Sequence, residues 1–186
     1  MKRPYNNAYL LAFSQEHLWY EVWMFYEMVD ALTRQTTAGY VTSTTSPTVV
    51  GVVATPGMPN SIAPPPGASA GLTLVTANAC VEGFMVHLRN LIDFMWPTKI
   101  HDTDVVAEDF CSTGAWKRPI NQALSDSRTR VHKELAHLTS DRISGSPQRK
   151  QWPYKPTSAA VADALRDFAA TALPSRLSPR VTAAIR

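Results

Sequence analysis

The chain has 186 residues, of which 45% are hydrophobic and 18% are charged, and its formal net charge is +3. These values are typical of one folded domain, and they exclude a wholly disordered chain. The mild positive charge is compatible with a nucleic-acid partner but does not require one.

The first predicted element is a long helix over residues 8–34. Its apolar residues recur at intervals of three, four and seven, which is the pattern of an amphipathic helix packed in a bundle. This stripe consists of Leu11, Leu18, Val22, Phe25, Val29 and Leu32. Trp19, Trp23 and Tyr26 lie beside the stripe and predict a broad buried face.

A segment rich in proline, glycine, serine and threonine follows. It contains no charged residue and includes Pro64-Pro65-Pro66, which excludes helix at that point. We therefore predict that residues 36–75 are a flexible insertion, in which TVVGVV is able to form a short strand. Two interpretations stay open for it, a surface linker and a loop that binds a protein partner.

Three more helices are predicted over residues 77–96, 126–141 and 158–173, each from apolar positions three or four residues apart. A short helix is expected within 103–110, and the basic tail 174–186 is expected to be loose with one short helix. The expected N-caps are Asp126 or Ser127 for the third main helix and Thr157 or Ser158 for the fourth. The sequence thus predicts a single all-α domain over 1–186, a bundle of four to five helices.

A polar stripe runs along the third main helix, in the stretch RTRVHKELAHLTSDR. At about 100° per residue, Arg130, Glu134, His137 and Asp141 lie close to one line at the edge of the apolar stripe. One interpretation is a solvated face with i,i+4 ion pairs. The other is a phosphate site, because arginine binds phosphate and histidine transfers protons near neutral pH. Arg128 and His132 are predicted to point away from this stripe.

The second main helix carries Arg89, Asn90 and Asp93 inside the apolar run MVHLRNLIDFM. A mid-helix arginine in such a run must reach water, a carboxylate or a partner. An intrahelical pair of Arg89 with Asp93 satisfies this need. The functional alternative has Arg89 and Asn90 facing the third helix across a shared cleft.

Other patterns are weaker. Trp152 and Tyr154 are flanked by basic residues, which suits single-stranded nucleic acid or an aromatic loop anchor. The remaining tryptophans are predicted to be core or lid residues. The acidic run after Pro97 lacks the spacing of a calcium loop, so no metal or other cofactor is predicted. This run contains His101, Asp102, Asp104, Glu108 and Asp109.

The segments CVEGFMVHLRNLIDFMW and RVHKELAHLTSDR resemble the HEPN superfamily of small helical bundles, and an uncharacterised bacterial branch in particular. Many HEPN proteins are metal-independent endoribonucleases of toxin–antitoxin or phage-defence systems, with an Arg, four to six residues, and a His as their signature. Arg130 and His137 match the six-residue form. The shorter form would place its arginine at position 132, where this chain has His132.

The resemblance implies a homodimer with an RNA phosphate bound between two copies of the motif. Arg130 and His137 would be catalytic, with Arg89, Asn90, Asp93, Glu134 and His132 in support. A catalytically silent HEPN-like module that binds nucleic acid or protein is the alternative function. The absence of a long apolar run, of a signal peptide and of paired cysteines predicts a cytoplasmic protein without a membrane span.

Overall fold

The structure, a computed structural model, describes residues 5–37, 40–46, 49–54, 70–136 and 152–186. The elements in these residues are α1 (Asn7–Phe13), a π-helical segment (Ser14–Leu18), α2 (Trp19–Thr37), β1 (Tyr40–Ser46), β2 (Val49–Ala54), α3 (Ala70–Met95), α4 (Ala107–Phe110), α5 (Gln122–Ala136), α6 (Tyr154–Thr171) and α7 (Pro179–Ala184). The core is helical, which confirms the predicted all-α class.

The first predicted helix is observed as α1, the π-helical segment and α2 in direct succession. A π turn adds one residue to the helical repeat and shifts the register. Up to its first residue, the buried positions are therefore Leu10 and Ser14 rather than the predicted Leu11. From its last residue onward, the predicted stripe is buried as expected, at Leu18, Val22, Phe25, Val29 and Leu32.

A two-stranded antiparallel hairpin follows α2, with Val41 paired to Val53 and an irregularity between Ser43 and Ser46. The predicted insertion 36–75 therefore includes the end of α2, both strands and the first turns of α3. The rest of it lies outside the described residues, and its flexibility and its protein partner stay predictions.

The predicted helices exist, but three of them start earlier than expected. α3 begins at Ala70 rather than 77, because no proline follows Pro66 to prevent helix there. α5 begins at Gln122, and its cap is Asn121, whose Oδ1 accepts a hydrogen bond from Leu124 N at 2.8 Å. α6 begins at Tyr154. The expected caps Asp126, Ser127, Thr157 and Ser158 all lie within these two helices.

α2 and α3 run in opposite directions, with the rings of Phe25 and Phe84 stacked at 5.6 Å. At the other end of α3, three fully or almost fully buried rings form a triangle with edge-to-face contacts and centroid distances of 5.2–5.8 Å. They are Phe94, Phe110 and Phe168. Such pairs add about 0.5–1.5 kcal/mol each beyond the burial of their area.

The expectation of a loose tail is wrong, because the segment after α6 is part of the core. Leu177 is 7% exposed and Val181 is fully buried. Ser178 N donates to Ser14 Oγ at 2.8 Å, and Arg176 Nη1 donates to the carbonyl of Asp109 at 2.8 Å. Leu177 precedes α7 and Val181 lies within it, and α7 contacts α2 and the π-helical segment.

Candidate functional site

Polar side chains of α3 and α5 meet near the end of α3, around Asp93. One carboxylate oxygen is 3.5 Å from Arg89 Nε and 4.0 Å from His132 Nε2, and the other is 3.4 Å from Arg128 Nε. We call these four residues the Asp93 cluster. Two guanidinium groups face one carboxylate, so the cluster is positive even with His132 neutral.

Arg128 has a structural part in this cluster. Its side chain is only 16% exposed, and its Nη2 donates to the carbonyl of Ile92 at 3.2 Å and to that of Trp96. The last carbonyls of a helix lack intrahelical partners, and a cation there is favourable. Arg128 therefore caps α3 while it holds Asp93.

Arg89, His132 and Asp93 itself are accessible to a similar degree, with side chains 39%, 41% and 37% exposed. The intrahelical pair of Arg89 with Asp93 is present, as one interpretation expected. Asp93 also contacts Arg128 and His132 of α5, so α3 and α5 meet at this carboxylate. A ligand that approaches from solvent would meet Arg89, His132 and the carboxylate of Asp93 together.

Asn90 does not join the Asp93 cluster. Its Nδ2 donates to Glu21 Oε2 of α2 at 3.1 Å, and the same oxygen lies 2.7 Å from His87 Nδ1. His87 is 8% exposed, so this contact satisfies a buried ring nitrogen. The predicted cleft residue Asn90 thus connects α3 to α2 rather than to α5.

Arg130 lies on another side of α5, where its guanidinium carbon is 4.1 Å from the ring centroid of Trp152. Fully buried Val131 separates it from His132. The sequence correctly assigned Arg130 to a different side from Arg128 and His132. The side that meets α3, however, is the one that carries Arg128 and His132.

The other predicted members of the Arg130 stripe are not tested. His137 and Asp141 lie outside the described residues. Glu134 belongs to α5, but its side chain is outside the part that the structure describes. The catalytic pairing of Arg130 with His137 therefore stays a prediction.

Of the two interpretations of Trp152 and Tyr154, the aromatic loop anchor is confirmed. Trp152 is 7% exposed, and its ring contacts Phe84 edge to face at 5.6 Å. Tyr154 contacts the same phenylalanine at 5.1 Å. Both rings pack on the core, so Trp152 is not a platform for bases.

Accessible aromatic residues lie instead on α1 and α2, where Tyr9 is 47%, Tyr20 is 44% and Trp23 is 39% exposed. The prediction that Trp23 is a core or lid residue is wrong, because more than a third of its surface is exposed. A signal existed in the sequence, because Leu18 and Val22 already occupy the buried register. Trp19 and Trp23 are each one position later, at the border of the buried face.

The acidic run has local structural roles. Asp104 Oδ2 accepts from His101 N at 2.7 Å, and Asp109 Oδ2 accepts from Val106 N at 3.0 Å. Among the residues that the structure describes, no group of three or more His, Cys, Asp or Glu is arranged to hold a metal ion. Burial raises the pKa of both thiols, Cys80 and Cys111, so neither is an activated nucleophile.

Comparisons of the chain with protein-family models, curated proteins and solved structures found no match. In the described part of the chain, every helix is too short or too polar to cross a bilayer. The function must therefore be argued from the Asp93 cluster and its surroundings.

Proposed function

We propose that the protein is a HEPN-like RNA-binding protein, with metal-independent endoribonuclease activity as its first candidate reaction. The observation that carries this proposal is the Asp93 cluster, where two arginines and a histidine surround one carboxylate. The excess positive charge suits a phosphate, for which arginine offers paired N–H donors. The cluster lies between the two helices whose sequences resemble HEPN proteins.

The candidate reaction uses the ribose as nucleophile. The 2′-oxygen bonds to phosphorus, the bond from phosphorus to the 5′-oxygen breaks, and a cyclic phosphate is formed. His137 would accept the proton of the 2′-hydroxyl, and water would supply a proton to the leaving 5′-oxygen. Arg130, on the other side of α5 from the Asp93 cluster, would stabilise the negative charge that develops at the scissile phosphate, an effect on the order of 3 kcal/mol for one well-placed donor. The Asp93 cluster would bind another phosphate of the same strand.

The second candidate function is a catalytically silent HEPN-like module, and the position of Arg130 favours it. The guanidinium group lies 4.1 Å from the buried ring of Trp152, in a cation–π contact that stabilises the packing of α5. An arginine in such a contact has a structural role independent of substrate. RNA binding is expected of the ribonuclease and of a silent module that binds nucleic acid, and catalysis distinguishes these two.

A homodimer belongs to the same proposal, because active HEPN proteins build their site from two copies of the motif. The accessible side chains of the Asp93 cluster would then face a second copy near α3 and α5. Light scattering at high micromolar concentration tests this. A monomer would remove the composite site, although RNA binding by one chain would stand. A cytoplasmic location and a bacterial defence or toxin-type system are the expected context.

The test of catalysis is incubation of purified protein with mixed RNA in the presence of a chelator. Cleavage by the wild type that is lost in both Arg130→Ala and His137→Ala supports the ribonuclease. His101→Ala, a substitution of an exposed histidine outside the cluster, is the control and should leave cleavage unchanged. RNA that is bound and not cleaved would establish the silent module instead.

The test of binding uses a short single-stranded oligonucleotide with 2′-O-methyl riboses, which lacks the nucleophile and is not cleaved. Arg89→Ala and His132→Ala should weaken its binding and make binding less sensitive to salt. Arg34→Ala is the matched control, since Arg34 is an exposed arginine in the last turn of α2, outside the Asp93 cluster. Absence of binding by the wild type would contradict RNA binding altogether and leave a silent module that binds protein.

A further inference from the structure

The exposed rings of Tyr20 and Trp23 and the half-buried ring of Trp19 form a row on α2. The indole rings of Trp19 and Trp23 are stacked with centroids 5.5 Å apart and planes 5° from parallel. Tyr20 lies beside Trp23 at 6.3 Å. We call Trp19, Tyr20 and Trp23 the aromatic ridge. Large aromatic side chains that stay at the surface of a packed protein are typical of binding sites.

A cation extends this stack at one end. The guanidinium carbon of Arg180, on α7, lies 3.8 Å from the ring centroid of Trp19. Arg180 Nη1 is 3.5 Å from the carbonyl of Gln15, and no carboxylate of the described residues forms an ion pair with it. Its charge is thus not neutralised within that part of the chain, unlike that of Arg186, which pairs with Glu27 and Asp30.

The ridge borders an open groove of about 410 Å³ between α2 and α7. Its walls include Trp19, Trp23, Arg180 and Arg186. The volume is within the range of about 300–1,000 Å³ that small-ligand sites occupy. Flat aromatic walls with a cation at the edge fit a planar ring that carries a negative group, and a nucleotide has both.

A chain of side-chain contacts through α3 links the ridge to the neighbourhood of the Asp93 cluster. The ring of Tyr20 meets His87 of α3 edge to face at 5.8 Å. His87 and Asn90 share the carboxylate of Glu21, and Asn90 is the neighbour of Arg89 in the chain. The carboxylate of Glu21 is engaged by these two groups, which reduces its repulsion of a passing phosphate. The ridge and the Asp93 cluster therefore lie at the two ends of a set of contacts that runs through buried His87.

We infer that the aromatic ridge with Arg180 is a base-stacking platform for single-stranded RNA, one that extends the Asp93 cluster into a longer strand-binding surface. This inference rests on the proposed RNA-binding function. Aromatic rings interleaved with cations bind single strands irrespective of sequence, because every base has a ring face. Bases of a duplex are already stacked on each other, so the ridge selects unpaired RNA.

The test uses the non-cleavable 2′-O-methyl single strand and an abasic strand of the same length and charge. Trp23→Leu should weaken binding of the complete strand by about 5- to 100-fold, the range for loss of one stacked base. Binding of the abasic strand should not change. Wild-type tryptophan fluorescence should be quenched by the complete strand only. Tyr9→Leu is the matched control, because Tyr9 is 47% exposed but lies on α1.

Equal affinity of the wild type for the complete and abasic strands would overturn the inference, and so would unchanged binding by Trp23→Leu. If Arg89→Ala and His132→Ala still lose affinity in that case, the proposed function stands without the ridge. Light scattering of Trp23→Leu tests whether a second copy of the chain, rather than RNA, binds to the ridge. A dimer that this substitution converts to a monomer would make the ridge an interface between copies, which also overturns the inference.

Discussion

Asp93 and Phe94 are neighbours in the chain, yet they belong to two regions with different physics. Phe94 packs into the triangle with Phe110 and Phe168, where all three rings are nearly or fully inaccessible to water. Asp93 lies in a half-exposed group of charges at the contact with α5. The two faces of α3 therefore have different roles. One face stabilises the fold, and the other positions charges whose net effect on stability is small.

The largest effect on stability is expected from a substitution in the ring triangle. Phe168→Ala should lower the free energy of unfolding by about 3–5 kcal/mol, because it removes a fully buried ring and leaves a cavity. Urea denaturation measures the change. Phe168→Leu, which retains most of the volume, should cost clearly less. A loss below about 1 kcal/mol for the alanine variant would mean that the triangle is not part of the stabilising core.

Arg128 is the one residue of the Asp93 cluster from which we expect a clear contribution to stability. Arg128→Ala should lower the free energy of unfolding by about 1.5–3 kcal/mol, because charged hydrogen bonds to the end of α3 are lost. Arg128→Lys should recover only part of this, since an ammonium lacks the planar fork. Equal stability of wild type and Arg128→Ala in urea would show that the cap is not important.

Arg130 should have an intermediate effect. Arg130→Ala removes the cation over Trp152 and should cost about 0.5–2 kcal/mol of stability, the range for cation–π contacts that are partly shielded from water. Thermal and urea unfolding of Arg130→Ala and Arg130→Lys measure it, and the lysine variant should be closer to wild type. A neutral alanine variant would indicate that the ring contact contributes nothing, and any RNA defect would then be assigned directly to binding or catalysis.

The smallest effect on stability is expected at His132. The side chain is 41% exposed and 4.0 Å from Asp93, so His132→Ala should change the free energy of unfolding by less than about 0.5 kcal/mol. The same variant should lose affinity for RNA in an anisotropy titration. A variant that is destabilised and still binds RNA normally would reverse the roles assigned to the two faces of α3.

The sequence predicted the helices well, because a helix packed in a bundle has apolar residues at regular intervals of three and four positions. Phe84, Leu88 and Leu91 are buried as their spacing indicated. The π-helical segment was not predictable, since a one-residue shift leaves two acceptable stripes and only the packed structure selects Leu10 over Leu11. The docking of Val181 was missed because a single helical turn gives almost no periodic signal.

The candidate site was predictable in three of its four members, because Arg128 was expected to point away from it. Arg89, Asp93 and His132 were all named from the sequence, and they meet in space. Which side of α5 faces α3 depends on the rotation of the helix about its axis, and Val131 lies at the centre of the buried face with charged residues on both sides. The charge pattern alone therefore could not decide whether Arg128 or Arg130 would reach Asp93.

The hydrogen bond between Ser14 and Ser178 joins positions 164 residues apart. At a synthesis rate of about 5–20 residues per second, roughly 8 to 33 s pass between the synthesis of Ser14 and that of Ser178. Throughout that time the apolar face of α2 that α7 later covers is open to other chains in the crowded cell. We therefore expect the nascent protein to depend on chaperones until Val181 has emerged from the ribosome, and to be degraded rapidly when synthesis stops after α6.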